Sequence, residues 1–122
     1  MSNIQEVDAD IVNALILTDL LMNNSEEEGH GDLVTIVDCS AVWCGPCKRM
    51  LPVLEQLADD NLFPHQIVKI DIDKNRAFAQ KNEVRSVPNF IVYSNGTKVG
   101  SFSGARGKDD FVAEVNRVLD DA

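Results

Sequence analysis

The chain has 122 residues, of which 44% are hydrophobic and 25% charged, and 20 acidic residues against 11 basic ones give a net charge of -9. This length and composition suit a single domain over residues 1–122, and they exclude the disordered and collagen-like classes. The negative charge is the wrong sign for binding phosphate backbones or anionic membranes. We therefore expect neither nucleic acid nor a membrane as a partner, and we expect a monomer.

Residues 1–32 are predicted to form an N-terminal extension made of a short strand, a helix and an acidic loop. The strand is predicted at 4–7, and Asp8 or Asp10 can cap a helix that covers the apolar run 11–22. This run is shorter than the ~18 residues that span a membrane, and the acidic segment before it differs from an export signal. We expect a buried helix in a cytoplasmic protein, with a partner-binding helix as the alternative. The polar segment that follows, NNSEEEGHGD, predicts a solvated loop.

The rest of the chain alternates between strand and helix patterns. The β-branched run LVTIVDC is typical of a strand covered on both faces, which belongs in the middle of a sheet. The later helices are predicted from apolar residues at helical spacing. The last two strands are predicted from the tight turn SNGT between them. Strands are predicted at 33–39, 66–72, 87–93 and 98–104, and helices at 46–60, 73–82 (capped by Asp73) and 108–120.

The resulting order, βαβαβαββα, predicts an α/β fold. Long connections between the early strands imply parallel pairing, whereas the two-residue turn forces the last pair to be antiparallel. We therefore expect a central mixed β-sheet with helices on both faces.

Two cysteines, Cys44 and Cys47, bracket Gly45-Pro46 at the start of the second predicted helix. Helical spacing of three residues brings their side chains together, close enough for a disulfide with Cα atoms about 5 to 6 Å apart. Unpaired N–H groups and the helix dipole favour a thiolate at this position. We predict Cys44, nearer to the helix end and the surface, as the nucleophile, and Cys47, more covered, as the resolving thiol.

A zinc site and a Cys–His hydrolase are the alternatives for these thiols. A structural zinc site needs four ligands, and beyond Cys39 only His30 and His65 remain, without a second CxxC or a paired-histidine motif. Neither histidine lies in a segment predicted to reach the helix start, which disfavours a hydrolase. We expect redox chemistry and no bound metal.

Asp38 is placed in the interior of the predicted central strand. Desolvation raises the pKa of a buried carboxylate toward neutrality, so that it can exchange protons. The alternative is a carboxylate at the strand end that accepts hydrogen bonds from the backbone. We expect the neighbouring Cys39 to be a small core residue with an inert thiol, and a regulatory disulfide is the alternative.

The motif WCGPCK, together with the elements around it, resembles the thioredoxin family, and the resemblance covers nearly all of residues 33–119. The segments VDCSAVWCGPCK and KVGSFSGA are similar to eukaryotic-type cytosolic members. The resemblance implies a thioredoxin fold and a thiol-disulfide oxidoreductase that reduces protein disulfides through a mixed disulfide. It also implies a protein that binds no cofactor itself. Electrons would come from NADPH through a flavin-containing thioredoxin reductase, and substrates would include peroxiredoxins or ribonucleotide reductase.

The resemblance also implies roles for individual residues near the dithiol. Asp38 matches an aspartate beneath the resolving cysteine that helps to deprotonate Cys47, and Lys69 matches the lysine near that aspartate. The chain departs from the family pattern at Cys39, where an aromatic residue is common, and at Asn89, where threonine is usual.

A substrate-binding rim is implied by the same comparison. X-Pro bonds are mostly trans, but the proline matching Pro88 is cis in thioredoxins and faces the cysteine pair. It leaves the backbone of Val87 free to pair with an extended substrate. Trp43, Gly104 and Ala105 would complete a flat apolar rim, whereas the alternative for Trp43 is an ordinary core residue.

Two other functions remain open from the sequence. A disulfide oxidase or isomerase would use the same fold, but these families usually carry histidine between the cysteines, so Gly45-Pro46 favours reduction. An interaction module, in which redox chemistry is incidental, is favoured only by the apolar first helix.

Overall fold

The order of strands and helices follows the predicted alternation. The computed structural model describes residues 4–23 and 32–122, and the acidic loop with Glu26, Glu28 and His30 lies outside the described residues. The ends of the elements differ from the predicted ones by a few residues at most. In chain order the elements are β1 (Gln5–Val7), α1 (Ala9–Asn23), β2 (Val34–Ser40), α2 (Gly45–Ala58), β3 (Gln66–Asp71), α3 (Arg76–Lys81), β4 (Asn89–Ser94), β5 (Thr97–Ser103) and α4 (Lys108–Asp120).

The described strands form one mixed sheet in the order β1-β3-β2-β4-β5. The pairs β1–β3 and β2–β3 are parallel, whereas β2–β4 and β4–β5 are antiparallel. Every residue of β2 is buried. The prediction of an α/β fold with a mixed sheet and a doubly covered central strand is therefore confirmed.

The two faces of the sheet support two separate hydrophobic clusters. Alternate residues of β2 point to opposite faces, so that Ile36 joins one cluster and Val37 the other. The first cluster includes residues of α2 and α4, among them Leu54 and Phe111, and the second includes Val12 of α1 together with residues of α3. Helices therefore cover both faces, and the carboxyl ends of β2 and β3 lie together at one end of the sheet.

The expectation of a buried first helix is only half correct. Val12 is fully buried, and an Asp8 carboxylate oxygen accepts a hydrogen bond from the N–H of Ile11 at 2.9 Å, as expected of a cap. In contrast, Leu17 and Leu21 are 55% and 62% exposed. A single helix on a sheet buries one side, and apolar residues on the other side of α1 stay at the surface. No helix in the described ranges is both long and apolar enough to cross a bilayer.

The turn between β4 and β5 packs tightly against α1. Gly96 in this turn has a φ of +83°, in the left-handed region that favours glycine. A Cβ atom at Gly96 would lie 2.6 Å from the carbonyl oxygen of Ile16 and 2.7 Å from the backbone nitrogen of Leu20. Glycine therefore allows the hairpin and the helix backbone to touch.

We expect Gly96→Ala to lower the free energy of unfolding by about 2 to 4 kcal/mol, because alanine both resists a positive φ and collides with helix backbone. Urea denaturation of the oxidised protein measures this difference. Gly107→Ala is the matched control, since a Cβ atom at Gly107 would meet nothing within 4 Å. Equal losses in the two variants would contradict the proposed contact between turn and helix.

Candidate active site

Cys44 and Cys47 form a disulfide at the amino end of α2, just beyond the carboxyl end of β2. Their Cα atoms are 5.3 Å apart, within the predicted range. Cys44 is the N-cap of the helix, and its sulfur accepts a hydrogen bond from the backbone N–H of Cys47 at 3.1 Å. The cap thus directs an otherwise unpaired helix N–H at the sulfur of Cys44, which favours a thiolate there once the pair is reduced.

The prediction that Cys47 is the more covered of the two is wrong for this oxidised form. Cys44 is 3% exposed and Cys47 is 8% exposed. The pair packs with Ala41, and the partly buried side chains of Ile72 and Val87 rest on this small cluster. The strand end and a neighbouring loop therefore cover Cys44 as well, which helical position alone does not indicate.

Asp38 lies on the face of β2 that points toward α2, and it is 3% exposed. Desolvation raises the pKa of its carboxyl to about 7, although Lys69, its partner across the β2–β3 pair, lowers it in part. Its Oδ1 atom is buried and accepts no hydrogen bond from the described residues.

A cavity of about 300 Å³ connects this carboxylate with the dithiol. Asp38 and Cys47 line it together with Lys69, the residue that the resemblance placed near this aspartate. Its remaining lining residues are Ala41, Val42, Lys48 and Leu51. Asp38 and Cys47 therefore share one cavity.

Trp43 lies on the loop between β2 and α2 and is 66% exposed, so the core alternative is excluded. Its indole N–H donates a hydrogen bond of 2.8 Å to a carboxylate oxygen of Asp73. The prediction that Asp73 caps the third helix is wrong: α3 begins at Arg76, and its N-cap, Asn75, makes no side-chain capping bond. Asp73 instead fixes the orientation of the exposed indole.

The Val87–Pro88 peptide bond is cis, in agreement with the expectation from the resemblance and against the general preference of X-Pro bonds. Val87 packs on the cysteine pair, and the carbonyl of Pro88 accepts a hydrogen bond of 2.9 Å from the N–H of Gly104. The structure thus joins Val87, Pro88 and Gly104 beside the disulfide. Pro88 is itself buried, whereas Ala105 is exposed.

The family model of thioredoxin matches residues 23–117. The chain belongs to the thioredoxin family. Thioredoxin from Staphylococcus aureus is 41% identical over 103 residues, which make up 84% of this chain and 95% of that protein. The protein is accordingly a thiol-disulfide oxidoreductase with a redox-active disulfide, and it acts as a protein-disulfide reductase.

Solved structures of thioredoxins share the fold. Thioredoxin F from spinach chloroplast has a TM-score of 0.75 at 26% identity, covering 95% of this chain and 93% of that one. A thioredoxin from Malassezia sympodialis has a TM-score of 0.73 at 26% identity, covering 96% and 91%. The thioredoxin fold is thereby confirmed, and the closer resemblance to eukaryotic-type cytosolic thioredoxins stays a prediction.

Two residues of the site region, Val42 and Arg106, were missed by sequence reasoning. Val42, directly before Trp43, is 70% exposed and contributes apolar surface next to the indole. An apolar side chain in a loop that precedes an exposed tryptophan was a signal that could have found it. Arg106 donates its backbone N–H to the sulfur of Met50 at 3.2 Å, a contact that no local pattern indicates.

The remaining cysteine and histidine are remote from this chemistry. Cys39 is a fully buried free thiol in the cluster on the α1 side of the sheet, and burial raises its pKa to about 12. His65 precedes β3 at the other end of the sheet, packs on Phe63, and has its pKa lowered by burial. The described residues contain no group of three potential metal ligands. Cys39 is thus the small core residue that we expected, and His65 forms no Cys–His pair with the dithiol.

Proposed function

We propose that Cys44 is the nucleophile and Cys47 the resolving thiol. The Cys44 thiolate attacks one sulfur of a protein disulfide, which forms a mixed disulfide and releases the other substrate sulfur as a thiolate that takes up a proton. Cys47 then loses its proton and attacks the Cys44 sulfur, which releases the second substrate thiol and leaves the Cys44–Cys47 disulfide. Two electrons pass to the substrate. The observation that carries this assignment is the hydrogen bond from the Cys47 N–H to the Cys44 sulfur at the helix N-terminus.

Asp38 is proposed as the acceptor of the Cys47 proton. The two side chains line one cavity, and burial holds the pKa of the Asp38 carboxyl at about 7, where it can accept and release protons near neutral pH. Lys69, half-buried on the paired strand, keeps enough positive charge nearby for the carboxylate to form. Gly45 and Pro46 form the two-residue segment that separates the two cysteines.

The substrate surface is proposed to be the rim of Trp43, Val87, Pro88, Gly104 and Ala105. An extended segment of the substrate would pair with the backbone at Val87, while Trp43 and Ala105 supply exposed apolar contact. The indole is already held by its hydrogen bond to an aspartate, so little conformational freedom is lost when a substrate binds.

The oxidised protein is proposed to receive its electrons from NADPH through a flavoprotein thioredoxin reductase. It would hold no cofactor of its own and act as a monomeric single domain. Peroxiredoxins and ribonucleotide reductase are the proposed substrates, which places the protein in electron transport and cell redox homeostasis. We propose the cytoplasm as its location, since a dithiol that works as a reductant requires a reducing compartment.

A coupled assay tests this function against oxidase or isomerase activity. With thioredoxin reductase and a disulfide-containing protein, we expect NADPH consumption that depends on this protein and stops with Cys44→Ser. The reduction potential of the pair is measured in parallel, by equilibration with glutathione. A potential close to that of protein disulfide isomerases, with no net NADPH consumption, would contradict a reducing function.

A further inference from the structure

Several positive side chains lie close in the sequence to the dithiol or to the proposed rim, in a chain whose net charge is -9. Lys48 and Arg49 follow Cys47 on α2, and both are exposed. Arg85, also exposed, lies two residues before Val87, and Arg106 lies two residues after Gly104. Along the chain, these cations therefore flank the cysteine pair and the proposed rim residues Val87 and Gly104.

Two of these cations have positions that the structure defines closely. A Cβ atom at Gly45, between the two cysteines, would lie 3.5 Å from Nη1 of Arg49, so this guanidinium folds back along the helix to the CGPC motif. A Cβ atom at Gly104 would lie 4.0 Å from Nη2 of Arg106. One guanidinium group thus lies beside a glycine of the CGPC motif, and the other lies beside a glycine of the proposed substrate rim.

Arg106 is held in place by contacts that leave part of its charge uncompensated. Its Nη2 donates to the carbonyl of Ser103 at 2.8 Å, and its guanidinium lies over the ring of Phe102 at 5.1 Å. The ion pair with Glu114 is long, at 3.8 Å, and its buried Nε atom finds no acceptor among the described residues. A pre-positioned guanidinium of this kind can bind a carboxylate without first being ordered.

Carboxylates occur both away from the proposed rim and near it. Asp32 precedes β2, Asp59 and Asp60 follow the last turn of α2, and Asp121 follows α4. Near the rim along the chain, Asp73, Asp109 and Asp110 are exposed carboxylates, and Asp73 is already bonded to Trp43. An anionic substrate segment would therefore be attracted by the guanidinium groups of Arg49 and Arg106 themselves, and not by the charge of the whole chain, which is -9.

We propose that Arg49 and Arg106 recognise acidic residues next to the disulfide of a protein substrate, so that the enzyme prefers disulfides flanked by Asp or Glu. This inference rests on the proposed function and adds to it a substrate class.

The test uses two disulfide peptides of one backbone, in which the residues flanking a cysteine are Asp in one and Asn in the other. The protein is reduced beforehand, and the second-order rate constant of peptide reduction is measured in a single turnover. We expect the Asp peptide to react about three- to tenfold faster at low ionic strength. The advantage should shrink at about 0.3 M salt, because screening weakens exposed charge interactions.

Arg49→Gln and Arg106→Gln should each reduce the ratio of the rate constant for the Asp peptide to that for the Asn peptide. Arg106→Lys should keep a larger part of this ratio than Arg106→Gln. Lys98→Gln is the matched control: it removes one exposed positive charge from the opposite end of β5. Thermal melting identifies any variant that loses its fold.

Equal rate constants for the two peptides in the wild type would overturn the inference while leaving the proposed function intact. An equal drop in the ratio with Lys98→Gln and Arg49→Gln would also overturn it, since net charge alone would then explain the preference. If the reduced protein reacts with neither peptide, the proposed function itself fails, and the inference fails with it.

Discussion

Cys47→Ser is expected to convert the protein into a covalent trap for its substrates. The Cys44 thiolate can still attack a disulfide, but the thiol that would release the product is gone, so the mixed disulfide persists. Turnover in the NADPH-coupled assay should fall by at least about 10³-fold, because the variant can carry out the attack on the substrate disulfide but not the release of the substrate. Non-reducing electrophoresis followed by mass spectrometry of the trapped complexes measures the outcome and identifies the substrates.

The control for this trap is Cys44→Ser/Cys47→Ser, which keeps the substrate surface but has no nucleophile. Cys39 is the only thiol left in that variant, and because it is fully buried we expect it to capture nothing. Complexes linked through Cys39, or the absence of any linked through Cys44, would contradict the assigned roles.

Asp38→Asn is expected to slow the resolving step most strongly at and above neutral pH. With its pKa at about 7, the carboxyl is a base above that pH and a neutral acid below it. The rate at which Cys47 releases substrate should therefore rise with pH through 7 in the wild type. An amide cannot accept the proton, so the variant should be about 10- to 100-fold slower at pH 8 and should lack the inflection near 7. Rapid-mixing measurement of mixed-disulfide decay between pH 5 and 9 follows this step, and unchanged decay across the range would contradict the role of Asp38.

The same substitution should stabilise the oxidised protein at high pH. Between its ordinary pKa of 3.8 and the folded-state value of about 7, Asp38 holds a proton in the native state that the unfolded chain has lost. Its contribution to stability is therefore complete below pH 4 and is lost as the pH rises through 7. At pH 4, Asp38→Asn and the wild type should have the same free energy of unfolding. At pH 8, the free energy of unfolding of Asp38→Asn should be about 2 to 4 kcal/mol higher. Urea denaturation at the two pH values separates this effect from catalysis, and equal differences at both would contradict a raised pKa.

Local patterns were sufficient for most of the fold. The β-branched run of β2 indicated a doubly covered central strand, and helical spacing indicated the inward side of α4 with Phe111 and Val115. The same approach failed for α1 because its residues are apolar on all sides, so that periodicity could not separate the buried Val12 from the exposed Leu17 and Leu21. Which side of such a helix meets the sheet is decided by tertiary packing.

The candidate site divides in a similar way. Helical geometry predicted the distance between the Cα atoms of the two cysteines, and strand position predicted the burial and raised pKa of Asp38. Contacts between distant segments were beyond reach, since nothing near Asp73 in the sequence indicates that it bonds to Trp43 rather than capping a helix. The cis bond before Pro88 was predicted only through the resemblance, because local energetics favour trans.

The alternation of side chains along β2 has a consequence for how this chain acquires its disulfide. In an unfolded chain, each of the three cysteines is free to oxidise with either of the others. Once the sheet has formed, Asp38 and the dithiol lie on the α2 side, whereas Cys39 points into the opposite cluster, behind a layer of paired backbone. A wrong pairing with Cys39 would then require the central strand to leave the sheet. The folded sheet thereby keeps Cys39 from forming a disulfide with Cys44 or Cys47. Such a wrong disulfide within the chain can form only if oxidation precedes folding.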